Sequence, residues 1–382
     1  MTFPTGRAQL FNGVHHSTSQ SNTTLLSGLD DLLSQSSLHL ASGDVVELQG
    51  SPSTGKTSLL LLLALIATLP PSFALACQAG QTLHVDVGGK SQGVVWADCD
   101  AKFDVVRLAQ LMRAHLGRVV NEAVAAATEH GTGPPPVPVP VPRELDQQLG
   151  QIVSDSLTRV VVLRPTSTLQ LATTLEALPV VWLAERRPVL LYLLIDGISS
   201  FWWQDQRDLE GRPSRPLPGG PHSLPSATPP LRLFLSAVAH VRATLAPTTF
   251  LTQWILQPSN ITHQASSALP QRLDFGFVQH HMPPPYPQIT SPPHVSPPGD
   301  LLHAPTLPNT GNPTFGLKLH ITCYRMPKQG IKCGTGLKEA LGKQREGREA
   351  GPRGDRFVGL VRAAGGRELG AWEYEVEKVV ST

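Results

Sequence analysis

Hydrophobic and polar positions follow two rhythms along this chain, and the breaks between them mark most of its elements. Ser27-Gly28-Leu29-Asp30-Asp31-Leu32-Leu33 spaces its leucines for the inner face of a short helix, with Ser27 placed to cap it. Ser42-Gly43-Asp44 turns the chain into Val45-Val46-Glu47-Leu48-Gln49, a strand by β-branched content and by its boundaries. Residues 50–55 form a loop. Residues 56–69 are apolar almost all round, as in a helix buried against a sheet, and Pro70-Pro71 stops it.

Further on, 93–97 predicts a strand that leads through Asp98-Cys99-Asp100 into a helix. Its predicted inner face is Val106, Leu108, Leu111, Met112 and Leu116. A strand is predicted at 159–163 and an amphipathic helix at 169–182. The strongest strand signal is 188–195, apolar at both parities and ending at Asp196, which suits the middle of a parallel sheet. A helix at 231–245 and a buried strand at 248–256 follow. Late strands are predicted at 317–325, 357–361 and 372–379, the last two as a hairpin around Gly365-Gly366.

Strands alternating with helices before a run of strands predict an α/β fold. The central sheet should be mostly parallel, with antiparallel C-terminal edge strands. Proline refines this picture. Of 36 prolines, six fall in 134–142, seven in 213–230 and thirteen in 258–313. That clustering predicts an ordered domain broken by disordered Pro-rich insertions. The expected organisation is a disordered N-terminus at 1–24 and a core at 25–258 with linker insertions at about 131–145 and 206–230. A Pro-rich low-complexity insertion at 259–314 follows, and C-terminal strands at 315–382 complete the core around a basic loop at about 326–356.

The formal net charge of +2 is too small to imply nucleic-acid binding by itself. Cys77, Cys99, Cys323 and Cys333 show neither a C-x-x-C pair nor zinc spacing, and read as reduced thiols of an intracellular protein. No signal-peptide core opens the chain, and the longest apolar run is too short to span a bilayer, so no membrane partner is expected.

Gly50-Ser51-Pro52-Ser53-Thr54-Gly55-Lys56-Thr57 fits the P-loop pattern G-x-x-x-x-G-K-[ST] between a predicted strand and a predicted helix. The spacing follows from the chemistry. Backbone N–H groups of such a loop cradle a triphosphate at a helix N-terminus. Lys56 would neutralise the β/γ charge, and the Thr57 hydroxyl would ligate Mg²⁺ beside ATP.

A carboxylate on the magnesium side should end a neighbouring apolar strand, and Leu190-Leu191-Tyr192-Leu193-Leu194-Ile195-Asp196 fits, with Asp196 holding Mg²⁺ through water. Asp98 and Asp100 end another core strand. Either one polarises an attacking water, or both cap the helix that follows. Gln253, inside an apolar strand, either senses a γ-phosphate or hydrogen-bonds within the sheet.

The order of these features resembles the RecA-type recombinase core. The wording of Leu26-Ser27-Gly28-Leu29-Asp30-Asp31-Leu32-Leu33, Gly43-Asp44-Val45-Val46-Glu47-Leu48, Asp98-Cys99-Asp100-Ala101-Lys102-Phe103-Asp104 with Arg107-Leu108, and Leu194-Ile195-Asp196-Gly197-Ile198-Ser199-Ser200-Phe201-Trp202-Trp203 is similar to recombinase paralogues. The segment Phe315-Gly316-Leu317-Lys318-Leu319 fits the same picture. The resemblance covers roughly 25–117, 158–258 and 315–382. It implies a RecA-like P-loop core in a nuclear protein of homologous recombination and double-strand-break repair. Such a protein would pair with another recombinase paralogue, assist a recombinase on single-stranded DNA and hold ATP at or near a protomer interface.

The chain departs from that family in places. The recombinases carry a catalytic glutamate where Asp100 stands, one methylene longer. No room is left before the core for a helix-hairpin-helix DNA module, and no Phe-x-x-Ala tether stands there, so a self-filament is not expected. Between Arg325 and Arg356 nine Lys/Arg face four acids, either a basic loop for a DNA backbone or a solvated linker. Trp202-Trp203 reads as a stacking platform or as packing. Three functions remain in view: a recombination accessory subunit, a DNA-dependent ATPase, and more remotely a P-loop small-molecule kinase, for which Arg207, Arg212 and Arg215 would be the lid cations.

Overall fold

The computed structural model describes residues 7–8, 27–77, 82–129, 142–210, 230–254, 257–258, 278–279, 317–325, 355–363 and 368–376. The first elements are β1 (Arg7–Ala8), α1 (Ser27–Gln35), β2 (Val45–Gly50), α2 (Lys56–Thr68), β3 (Ser72–Ala76), β4 (Thr82–Asp86), β5 (Gly93–Asp98) and α3 (Val105–Glu129). Next come α4 (Pro142–Leu157), β6 (Val160–Leu163), α5 (Thr168–Ala184), β7 (Leu190–Asp196), α6 (Trp202–Glu210), α7 (Pro230–Leu245) and β8 (Thr248–Trp254). The last are β9 (Gln257–Pro258), β10 (Val278–Gln279), β11 (Leu317–Arg325), β12 (Asp355–Ala363) and β13 (Glu368–Val376).

One sheet carries the architecture, in the order β1-β13-β12-β11-β2-β8-β7-β5-β6. From β11 to β6 every neighbouring pair is parallel. Beyond β11, β12 and β13 run antiparallel. The fold is therefore mixed α/β with a mostly parallel central sheet, consistent with the RecA-type resemblance. Strand β2 does not touch β7 directly, because β8 lies between them.

Alternation along each strand divides the core into two layers. Val46, Leu48, Val94, Trp96, Tyr192, Leu194 and Phe250 pack with α2 and α3. Val45, Val95, Ala97, Leu193, Ile195 and Leu251 pack with α5 and α7. A sheet apolar on both faces needs helices on both, which gives three layers. Leu317 and Leu319 are two apart yet fall in opposite layers. A register shift between them in the β11–β2 pairing reverses the face.

Several expectations need correction. Leu108, Leu111, Met112 and Leu116 of α3 are buried, but Val106 is 60% exposed. It lies in the first turn, where Asp104 Oδ1 accepts from the N–H groups of Val106 and Arg107 and so caps the helix toward solvent. The predicted linker at 131–145 overlaps α4, which starts at Pro142, a residue suited to a first helical turn. The linker at 206–230 overlaps the end of α6. The antiparallel β3–β4 ribbon was not expected at all. Within the stretch expected as a Pro-rich insertion at 259–314, Val278–Gln279 forms β10 and pairs antiparallel with β9. The rest of that stretch, residues 131–141 and 211–229, most of residues 1–24 and the loop at 326–354 lie outside the described residues.

Among the described residues, Cys77, Cys99 and Cys323 are free and buried. No helix there is long and apolar enough to cross a membrane. Trp202 packs in the second core layer, while Trp203 is 67% exposed.

Candidate functional site

Strand β2 ends at Gly50 and α2 begins at Lys56, so the Gly50–Thr57 segment is the turn between a buried strand and a buried helix. Its backbone uses the left-handed region twice, at Ser53 (φ 63°) and Gly55 (φ 83°). Gly55 is the N-cap of α2 and offers no side-chain acceptor to the first N–H groups of the helix. Those donors and the helix dipole thus face outward, toward where an anion would lie.

The loop is backed by the C-terminal strands. A Cβ at Gly55 would lie 2.9 Å from the Phe357 ring, and one at Gly50 would lie 2.6 Å from the Cys323 carbonyl. Tyr374 donates its hydroxyl to the Thr54 carbonyl at 3.3 Å. Phe357, Tyr374 and Trp372 stack in series, with centroids 5.3 and 4.7 Å apart. All three rings are buried, so they brace the loop and leave no face for a ligand.

Lys56 Nζ donates to the carbonyls of Gly50 (2.7 Å) and Ser51 (2.9 Å) and lies 3.3 Å from Thr54 Oγ1. Burial holds its ammonium below the ordinary lysine value, with nearby Cys323 and Asp196 opposing that shift. The Thr57 hydroxyl donates to Asp196 Oδ2 at 2.9 Å, and the Thr252 hydroxyl donates to Asp196 Oδ1 at 2.7 Å. Burial raises the Asp196 carboxyl above the usual carboxylate range, and the two hydroxyl donors offset this in part. A hydroxyl and a carboxylate in contact, beside a buried ammonium, form a donor set that would suit a hydrated Mg²⁺ next to an anion.

The two carboxylates at the end of β5 and just after it have separate tasks. Asp98 accepts from the N–H groups of Lys102 (2.8 Å) and Phe103 (3.0 Å) and lies 3.8 Å from Arg164. It shapes the turn. Asp100 accepts from Ser200 Oγ and from Lys102 Nζ, the latter at 2.9 Å. A Cβ at Gly197 would lie 2.6 Å from its carboxyl carbon, so Asp100 rests on the residue that follows Asp196. Burial raises the Asp100 carboxyl, and the Lys102 ammonium opposes that.

Gln253 is placed differently. Its amide donates to Glu47 Oε1, and His320 Nδ1 lies 3.1 Å from Glu47 Oε2. Alternation along β8 sends Thr252 to the Asp196 side and Gln253 to the opposite face of the sheet. The structure thus gathers Lys56, Thr57, Asp196 and Asp100 and assigns Gln253 to a buried polar cluster. Thr252, Ser200 and Lys102 join the site without having been singled out from the sequence. The signal for Thr252 is a lone hydroxyl near the end of an apolar strand.

No family model matches the chain. The chain is 26% identical over 164 residues to the DNA repair protein XRCC2 of Mus musculus, a match covering 43% of this chain and 43% of that protein. The chain therefore aligns with less than half the length of that relative. The similarity supports the relationship to recombinase paralogues that the motifs imply.

Proposed function

We propose that this chain binds ATP with Mg²⁺ through a P-loop at Gly50, Ser51, Pro52, Ser53, Thr54, Gly55, Lys56 and Thr57. It acts as an accessory subunit of a recombinase-paralogue complex in homologous recombination and double-strand-break repair. The contact between Thr57 and Asp196 carries the nucleotide reading, because it joins the first turn of the helix to the carboxylate that ends an apolar strand, where the magnesium-side acid of a P-loop is expected. The similarity to a DNA repair protein supports the cellular role, and with it a nuclear location and a second RecA-type chain as partner.

In this reading the loop amides and Lys56 hold the phosphates, while Thr57 and Asp196 hold the cation. The cation would supply charge neutralisation between the β- and γ-phosphates. Single-stranded DNA is met through the complex.

A second reading, a DNA-dependent ATPase, draws on Asp100. Its carboxylate adjoins Gly197 beside the cation-side Asp196, as a water-orienting group would. ATP turnover with and without single-stranded DNA, measured beside Lys56→Ala, separates the two. Stimulated turnover that the variant loses supports the ATPase. Turnover indistinguishable between the two proteins supports the accessory role. Affinity purification that repeatedly recovers no RecA-type partner overturns the accessory reading.

A further inference from the structure

Lys102 stands in the turn between β5 and α3, outside the Gly50–Thr57 motif. Two of its neighbours fix its place. Its amide N–H is held by Asp98 Oδ1 at 2.8 Å, and Ala101 before it takes a left-handed backbone (φ 54°). The root of the side chain is thereby pinned while the side chain itself stays 56% exposed. Its ammonium is shared between Asp100 Oδ2, at 2.9 Å, and the face of Trp254, 4.8 Å from the ring centroid. Trp254 ends β8, and its N–H donates to Ser199 Oγ in the segment after Asp196. Lys102 therefore ties the C-terminal end of β5 to that of β8, and Trp254 in turn meets the segment after β7; ligands bind at such strand ends in open α/β sheets.

The contacts run in a definite order. Thr57 meets Asp196, Asp196 is followed by Gly197, Gly197 lies against Asp100, and Asp100 holds Lys102. Starting from α2, Lys102 is the outermost of these groups. Lys56 closes the loop end of the same row. Lys102 repulsion adds to burial in lowering the Lys56 ammonium, so the two cations feel one another.

We propose that Lys102 is a second phosphate-binding cation, which discriminates a nucleoside triphosphate from a diphosphate. When a terminal phosphoryl group is present, the Lys102 ammonium exchanges Asp100 and the Trp254 face for the phosphoryl oxygens. Asp100 is then left as a free carboxylate beside Gly197. A flexible four-carbon stem with an exposed ammonium suits that exchange. The proposal rests on the nucleotide reading of the site.

The test is calorimetric titration of the full chain with Mg²⁺ and either ADP or a non-hydrolysable ATP analogue. Wild type, Lys102→Met, Lys102→Arg and Lys56→Ala are compared. Lys102→Met should weaken the triphosphate analogue about tenfold, the scale of one charge-assisted contact, and leave ADP unchanged. Lys102→Arg should keep most of the preference. Lys56→Ala should weaken both ligands. Equal loss for both ligands in Lys102→Met, or no loss for either, overturns the role of Lys102 while the nucleotide site stands. A wild-type chain that binds neither ligand overturns both. Matching thermal melts for wild type and Lys102→Met establish that the comparison is between folded proteins.

Discussion

The Thr57 hydroxyl and Asp196 Oδ2 meet at 2.9 Å across 139 positions of sequence, tying the first turn of α2 to the end of β7. Neither strand end touches the other directly, since β8 intervenes and contributes Thr252 to the same carboxylate. If this carboxylate positions a cation, Asp196→Asn should lower nucleotide affinity in Mg²⁺ by about 10–100-fold. In chelator the same variant should bind like wild type. Titration with a fluorescent ATP analogue, with and without Mg²⁺, reads both conditions. Equal affinities in Mg²⁺ would remove Asp196 from the cation site.

The same carboxylate predicts a pH signature in stability. Burial raises the folded-state value of Asp196 above the ordinary aspartate value of about 3.9. The folded chain then keeps this proton to higher pH than the unfolded chain does. Between the two values the unfolded state binds fewer protons, so stability falls as pH rises through that window. Asn cannot ionise. Asp196→Asn should therefore match wild type below the window and exceed it at neutral pH, a stability–function exchange. Urea midpoints against pH for the two proteins test this. A gap that stays constant with pH would sink it.

Thr57 stood out in the sequence because the G-x-x-x-x-G-K-[ST] pattern fixes its place, and Asp196 because it ends an apolar strand; the structure brings the two into contact. The central strands were legible for a similar reason: Leu190–Asp196 is apolar at both parities, and only a parallel strand buried on two faces calls for that. That same property hid the direction of Gln253. A strand apolar on both faces does not disclose which parity meets the loop. Only the β2–β8 register, with Gln49 opposite Gln253, settles which parity faces Glu47. Lys102 was hidden for another reason, since its partners Asp98, Asp100 and Trp254 come from the ends of two strands far apart in sequence. The β3–β4 ribbon escaped because Ser72-Phe73-Ala74-Leu75-Ala76 follows two prolines and lacks β-branched residues. Helix α4 was masked by the polyproline run that leads into it.

Gly55 and Gly43 make a matched pair for the bracing of the loop. Both have φ near +85° (83° and 86°), but a Cβ at Gly43 meets nothing within 4 Å while one at Gly55 strikes Phe357. Gly43→Ala should cost only the backbone term, about 1 kcal/mol. Gly55→Ala should add the displacement of a packed ring, for a total of about 2–4 kcal/mol. Chemical denaturation of the two variants gives the difference directly. Equal costs would show that Phe357 yields freely and does not brace the loop.

The buried cluster at Glu47 gives Gln253 a structural task that can be separated from phosphate sensing. Glu47 Oε1 accepts from Gln253, Glu47 Oε2 faces His320 Nδ1, and His320 Nε2 lies 3.1 Å from Thr322 Oγ1. The cluster thus links β8, β2 and β11 through side chains on one face of the sheet. Glu47→Ala deprives Gln253 and His320 of a shared acceptor in the interior and should cost about 3–5 kcal/mol. Gln253→Ala removes one donor and leaves His320 on Glu47, so about 1–3 kcal/mol is expected. Because Gln253 and Thr252 point to opposite faces, Gln253→Ala should leave triphosphate affinity within twofold of wild type, roughly 0.4 kcal/mol. Denaturation and nucleotide titration on the same preparation decide the matter. Full stability with weakened triphosphate binding would return Gln253 to the phosphate site and contradict the face assigned to it by the β2–β8 register.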